Sequence, residues 1–255
     1  MPSLGSHLAH AHGLAERLGH PHIEADRGAF YLGSTAPDMR VLMKVDRRLT
    51  HFYELDDFGE QDSVARMFAE HPELAAAVSL DPTTRAFVAG YLTHLLMDEL
   101  YIQDVYRACF GERSPLGGVM WADVLDRALQ YEMNRRELQN GAAMKRVRDE
   151  LVAWVPRQAF ECLAFLRDDL FPEWREFALN VASQEPTWER FPRMMRIHLR
   201  RAGYGEDEIE EACRNAVGIV AEAIEQVSEE RVASYLEKAT EMALQRLDAY
   251  LPAVP

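Results

Sequence analysis

The chain has 255 residues, of which 48% are hydrophobic, and a formal net charge of −14. This length and apolar content are enough to bury a large core, so we expect one domain over residues 1–255. The acidic charge would repel phosphate backbones and argues against a nucleic-acid-binding protein. The three cysteines, Cys109, Cys162 and Cys213, are far apart and form no Cys-x-x-Cys pair, so we expect neither a disulfide framework nor a thiolate zinc site. We expect them to be reduced and buried.

The hydropathy pattern predicts no transmembrane segment. The amino-terminal residues lack a basic region followed by a long apolar run. The apolar run at 86–97 is too short to span a bilayer and contains His94. We therefore expect a cytoplasmic location.

Helices are predicted along most of the chain, because apolar residues recur at intervals of three and four and no stretch alternates like a strand. In the motif-bearing half, residues 1–140, they fall near 4–18, 24–32, 63–70, 83–109 and 119–138. In the C-terminal half, residues 141–255, they fall near 144–167, 174–182, 191–202, 206–225 and 229–250. The predicted fold is an all-α multi-helix bundle. Its amphipathic C-terminal helices are candidates for binding a partner helix or a second copy of the chain, giving a homo-oligomer.

The helix predicted over 83–109 carries the most informative residues. His94 and Asp98 lie four residues apart on one face, and the remaining faces are largely apolar, so the helix is expected to be buried. A buried carboxylate is costly unless it is paired or coordinated. A divalent metal would satisfy both side chains; the alternative is an imidazole–carboxylate hydrogen bond that only fixes helix packing.

Three further residues are candidate ligands. His7 lies on the inward stripe of the first helix, although His10, one turn away, is an alternative. Asp38 ends the loop at 33–38, where an ordinary helix-capping aspartate is equally expected. His51 follows Thr50 and precedes two aromatic residues, so it could instead be a packed core side chain.

Taken together, these motifs resemble those of the zinc-dependent phospholipase C family. The matching segments, in the family's order, are Met1-Pro2 with His7, Gly33-Ser34-Thr35-Ala36-Pro37-Asp38, Thr50-His51-Phe52, and Gly90-Tyr91-Leu92-Thr93-His94 with Asp98. They cover roughly residues 1–105. No single motif is decisive, but four in sequence, each with a metal-binding residue type, form a fairly specific signature.

The resemblance implies an all-α bundle that holds one or two zinc ions between helices. Asp38, His51, His94 and Asp98 would hold one ion, and His7 with a bridging Asp98 would hold a second. Where secreted members have another histidine, this chain has Asp104, a harder ligand that the resemblance places at a remaining metal position. Acidic residues of the next helix are weaker candidates to join it: Asp123, Asp126 and Glu132.

The implied activity is hydrolysis of a phosphoric ester, whose substrate need not be a lipid, by a metal-activated water. Asp38 would orient that water or accept its proton. Arg40 and Arg47, in a basic stretch close to the ligands in sequence, would bind the substrate phosphate, although such stretches are more often simply solvated faces.

A competing hypothesis is a non-catalytic helical protein with a structural metal and a partner-binding C-terminal half. No histidine occurs between His94 and His198, which favours this alternative somewhat. An HD-type phosphohydrolase is disfavoured, because its site needs adjacent His and Asp and no His-Asp dipeptide occurs in the chain.

Overall fold

The computed structural model describes residues 1–155, 160 and 163–253, and these residues form helices, turns and irregular segments with no strand among them. The all-α prediction is therefore confirmed. None of the described helices is long and apolar enough to cross a membrane.

The α-helices, in chain order, are α1 (Leu4–Leu18), α2 (Pro21–Glu24), α3 (Arg27–Gly33), α4 (Arg40–Met43), α5 (Arg48–His51), α6 (Ser63–Glu70), α7 (Pro82–Leu100), α8 (Arg107–Cys109), α9 (Met120–Leu138), α10 (Gly141–Ala153), α11 (Phe171–Ala182), α12 (Phe191–Arg201), α13 (Glu206–Arg214), α14 (Ala216–Val227) and α15 (Glu229–Tyr250). A 3-10 turn at Ala36–Met39 precedes α4, and a π-helical segment at Tyr101–Tyr106 joins α7 to α8.

Two predicted helices are each divided in the structure. The helix expected over 24–32 becomes α2 and α3, because the dihedrals of Asp26 (φ −155°, ψ 72°) are not helical and its side chain caps α3 by accepting from the Ala29 amide at 2.9 Å. The helix expected over 206–225 breaks at Asn215, whose φ of −98° and ψ of 33° are not helical. In both places, a polar residue that favours local turns interrupts an otherwise helical pattern.

The helix expected over 144–167 is shorter than predicted. It ends as α10 at Ala153, because Trp154 turns the chain to an extended conformation with ψ of 128°. Residues 156–159, 161 and 162 lie outside the described residues, and the expectation of a reduced Cys162 lies there too. Cys109 and Cys213 are buried and free of disulfides, as expected.

Helix α7 lies at the centre of the molecule. Asp81 caps it by accepting from the amides of Thr83 and Thr84, and Pro82 occupies its first position. Every residue from Thr83 to Leu100 except Arg85 is buried. The helix therefore has no solvent face over almost its whole length, as its apolar sequence predicts.

Two glycines bring α7 against α3. A Cβ atom on Gly90 would overlap the carbonyl oxygen of Phe30, and one on Gly33 would overlap the carbonyl oxygen of Phe87. Only glycine at both positions permits this backbone approach. The contact places the residues that follow α3 directly beside the second half of α7.

The described residues form two apolar clusters in the core, and neither is confined to one half of the chain. The first contains the N-terminal helices α1, α3 and α6 together with α10 and α11, and the second contains α9, α12, α13 and α14. Helices α7 and α15 contribute to both: Leu92 and Leu247 belong to the first cluster, and Leu100 and Tyr235 to the second.

Candidate metal centre

Three helices and one turn bring five of the predicted ligands together. We call this set the His/Asp centre; it consists of His7 from α1, Asp38 from the 3-10 turn, His51 from α5, and His94 and Asp98 from α7. Two overlapping groups in it have ligand atoms all within 4.8 Å of one another: His7, His94 and Asp98, and Asp38, His51 and His94. Apart from His94 and Asp98, which share α7, these residues are far apart in sequence, so the tertiary fold assembles the centre.

Asp98 lies in the middle of the centre. Its Oδ1 is 3.3 Å from His7 Nε2, and its Oδ2 is 3.4 Å from His51 Nε2 and 3.7 Å from His94 Nε2. Asp38 Oδ1 is 3.5 Å from His51 Nε2 on the other side. The rings of His7 and His94 stack with centroids 3.7 Å apart.

Hydrogen bonds fix two of the imidazole rings. His94 Nδ1 lies 2.9 Å from the Ser34 carbonyl oxygen and must donate to it. His51 Nδ1 lies 3.0 Å from the Thr50 hydroxyl oxygen, and that hydroxyl donates to the Arg47 carbonyl. When these rings are neutral, Nε2 is therefore the lone-pair nitrogen, and it is directed into the centre. An outer hydrogen bond on Nδ1 is the usual arrangement for a metal-ligating histidine.

The unmatched atoms of the centre fit a divalent ion. The Nε2 atoms of His51 and His94 are 3.3 Å apart, and two lone pairs at this distance repel unless a proton or a cation lies between them. His7 Nε2 and Asp98 Oδ1 are buried, and their contact lacks hydrogen-bond geometry, which leaves each without a hydrogen-bond partner among the described residues. Imidazole nitrogens with carboxylate oxygens are a donor set that suits zinc.

Burial and charge shift the pKa values of the carboxyl groups in opposite directions, and charge prevails. Burial would raise the pKa of Asp98, but the charge of His94 and the contact with His7 hold it well below its ordinary value. Burial would likewise raise the pKa of Asp38, but its contact with His51 and the charge of His94 lower it. Both carboxyl groups are therefore ionised at neutral pH.

The imidazoles differ from one another. Burial and the charge of Arg47 lower the pKa of His51 to about 4. Burial and the charge of His94 lower the pKa of His7. For His94, burial alone would lower the pKa, but Asp98 outweighs it and raises the pKa above its ordinary value. His7 and His51 are thus neutral at pH 7, the form in which an imidazole binds a metal.

Arg47 lies inside the centre, beside its carboxylates. Its Nη2 donates to Asp98 Oδ2 at 2.8 Å, and its side chain is only 10% exposed. Its Nε and Nη1 are buried and have no hydrogen-bond partner among the described residues. The solvated-face interpretation of the basic stretch is therefore wrong for Arg47, although it fits the exposed neighbour Arg48.

A cleft of about 310 Å³ opens beside the centre. Asp38 and Arg40 lie on its wall, and the side chain of Asp38 is 25% exposed, whereas the other four residues of the centre are almost fully buried. A neighbouring cleft of about 940 Å³ shares Met1, Arg127 and His198 with it. Asp38 is therefore the residue through which the centre borders the cleft.

Asp104 is not part of the centre, which corrects its prediction as a ligand. It lies in the π-helical segment, and its Oδ2 accepts from Lys238 of α15 at 2.9 Å. Two of the weaker candidates on α9 are engaged elsewhere: Asp126 accepts from Tyr101 and Gln130, and Glu132 accepts from two arginines. The third, Asp123, lies on the wall of the larger cleft and in neither ligand group.

The structure also decides between His7 and His10. His7 faces Asp98, whereas His10 lies outside both ligand groups, and its buried Nε2 has no partner among the described residues. His12 is directed elsewhere, with its Nδ1 3.0 Å from the Tyr31 hydroxyl.

Three supporting residues were not predicted to have a role. Ser34 orients His94 through its carbonyl, and Tyr91 donates to the Thr50 carbonyl beside His51. Gly90 permits the approach of α3 that brings Ser34 to His94. The sequence carried one signal for this contact, a glycine inside a helix that is otherwise apolar.

Comparisons of the chain with protein-family models, with curated proteins and with solved structures find no match.

Proposed function

We propose that the protein is a metal-dependent hydrolase of phosphoric esters, with zinc as its ion and a cytoplasmic location. The single observation that carries the proposal is the His/Asp centre, in which lone-pair nitrogens and ionised carboxylates converge without enough partners of their own. The proposal agrees with the phospholipase C resemblance of the sequence, which the comparisons leave without support of their own.

The five residues of the centre would hold the ion. A bound zinc ion supplies a water of lowered pKa and positive charge for a phosphoryl oxygen. Asp38 is the residue of the centre that reaches the cleft, so we assign to it the orientation of the attacking water and the acceptance of its proton. Arg40 lies on the same wall with a buried, unpartnered Nε and is placed to bind the phosphate.

Access of water to the ion separates a catalytic role from a structural one. A structural ion is enclosed by protein ligands, whereas a catalytic ion keeps a position for water. The exposure of Asp38 to the cleft favours catalysis over the alternative of a structural metal in a partner-binding scaffold. A partner or second copy on the C-terminal helices stays a prediction.

The test is hydrolysis of bis-p-nitrophenyl phosphate and p-nitrophenyl phosphate by zinc-loaded protein. We expect turnover of at least one ester, and a loss of about 10²-fold or more in kcat for Asp38→Asn. Asp149→Asn, an exposed change on α10, is the matched control and should keep full activity. Zinc-loaded protein that hydrolyses neither ester, or an Asp38→Asn variant with unchanged kcat, would contradict the proposal.

A further inference from the structure

The two ligand groups of the centre cannot each hold an ion of their own. Both groups include His94. Its Nδ1 donates to the Ser34 carbonyl, so it offers only Nε2, and one lone pair binds one ion. Filling one group with a metal therefore removes a ligand from the other.

Arg47 supplies a positive charge to the centre in addition to the charge that a metal ion would bring. Asp38 and Asp98 carry two negative charges, and the guanidinium offsets one of them through its 2.8 Å hydrogen bond to Asp98 Oδ2. One divalent ion would then leave the centre with a net charge of +1, which attracts an anion. With a second ion the net charge would be +3 in a buried site, an arrangement that burial strongly opposes.

The donors of Arg47 that do not bind Asp98 are unused. Nε and Nη1 are buried, and neither has a partner among the described residues. A buried guanidinium with unmade hydrogen bonds is costly, and each of these charged N–H donors can bind an oxygen of a phosphoryl group. Because Nη2 contacts Asp98 Oδ2, and that oxygen also lies 3.4 Å from His51 Nε2, the guanidinium borders the atoms that would hold an ion.

We propose that the centre holds a single divalent ion and that Arg47 acts as its second cation, binding the phosphoryl oxygens of the substrate. This inference rests on the proposed function and adds to it the number of ions and the residue that recognises the phosphoryl group. It distinguishes this chain from a site in which two metal ions clamp the phosphate.

The experiment measures zinc content by elemental analysis and then the binding of inorganic phosphate to the zinc-loaded protein by calorimetry. Wild type is compared with Arg47→Gln, Arg47→Lys and the matched control Arg48→Gln, which removes the neighbouring exposed guanidinium. Far-UV circular dichroism checks that each variant is folded. Arg47→Lys keeps the charge beside Asp98 and so remains informative if Arg47→Gln does not fold.

We expect one zinc per chain in all four proteins. Phosphate affinity should fall about tenfold or more in Arg47→Gln, because charge-assisted hydrogen bonds are lost, and by a smaller factor in Arg47→Lys, which lacks the guanidinium. Arg48→Gln should stay within about twofold of wild type.

Two zinc ions per wild-type chain, or unchanged phosphate affinity in both Arg47 variants, would overturn this inference and leave the proposed function standing. A wild-type protein that binds no zinc would overturn both.

Discussion

Asp98 is the side chain on which the candidate site depends most. It lies near three imidazoles and one guanidinium, and it is almost fully buried. A charge in such a position is maintained only by its partners, so its removal affects all of them at once. Substitution of Asp98 therefore tests whether these residues form a metal centre or only a group of packed polar side chains.

Asp98→Asn keeps the shape of this side chain and removes its charge. We expect zinc affinity to fall by at least about 100-fold, because a neutral amide is a poor ligand for zinc and the charge balance of the centre is lost. The measurement is a competition titration with a chelator of known affinity, with Asp149→Asn as the control. Equal affinities for wild type and Asp98→Asn would exclude Asp98 as a ligand.

His10 gives a prediction about pH. Burial and the charge of His7 lower its pKa to about 3 in the folded protein, against an ordinary value of 6.5. As the pH falls, the unfolded chain therefore binds a proton at His10 before the folded protein does. The contribution of neutral His10 to the free energy of unfolding is complete above pH 6.5 and is lost as the pH falls from there towards 3, by at most about 1.4 kcal/mol per pH unit.

Urea midpoints measured between pH 7 and pH 4 test this expectation. The midpoint of His10→Gln should fall less steeply than that of wild type, because the variant has no group to protonate at this position. Parallel slopes for the two proteins would show that His10 does not contribute to acid sensitivity.

At the scale of elements, the contact between α3 and α7 positions the site. It brings the Ser34 carbonyl to His94 and depends on glycine at positions 33 and 90. The helices themselves follow from periodicity and capping, and most predicted bounds agree with the structure. Their breaks at Asp26 and Asn215 were missed, because a single turn-forming residue hardly disturbs the periodicity of a whole helix.

Gly90→Ala tests this contact. The added methyl group would overlap the Phe30 carbonyl, which is backbone and cannot move aside cheaply, so we expect a loss of roughly 3 kcal/mol in stability and weaker zinc binding. The control is Gly13→Ala on the exposed face of α1, where nothing lies within 4 Å of the added atom and a gain of about 0.5–1 kcal/mol is expected. Similar stabilities for the two variants in urea unfolding would contradict the close approach.

At the scale of the whole molecule, α7 and α15 join the two apolar clusters. Leu92 and Leu100 lie on one helix but in different clusters, and Tyr235 of α15 donates to the Met97 carbonyl at the boundary between them. Unfolding of α7 or α15 would remove apolar side chains from both clusters and expose apolar surface in each. We therefore expect the two clusters to unfold together, in keeping with the single domain predicted from the sequence.

We expect thermal unfolding to occur in one calorimetric transition. Because the proposed ion binds only the folded state, zinc at 100 times its Kd should stabilise the protein by about 2.7 kcal/mol and raise the transition as a whole by roughly 8 °C. Two resolved transitions, with zinc shifting only one, would show that the clusters unfold independently.

The sequence predicted the site only in part. The spacing of His94 and Asp98 on an apolar helix indicated their pairing, but it could not choose between His7 and His10, since both lie one turn apart on the same helix. The inward position of Arg47 depends on the path of the chain between α4 and α5, which no periodicity encodes. Asp104 was wrong as a ligand because the π-helical segment carries it to the side that meets Lys238.

The most direct test of the central claim is the metal content of protein purified without an affinity tag, for wild type and His94→Ala in parallel. His12→Ala is the control, since His12 is also a largely buried histidine but bonds to Tyr31 outside the centre. We predict one zinc or similar ion per chain in wild type and in His12→Ala, and none in a folded His94→Ala. A folded wild type that holds no ion after zinc is offered, or a His94→Ala variant that keeps its ion, would contradict the account.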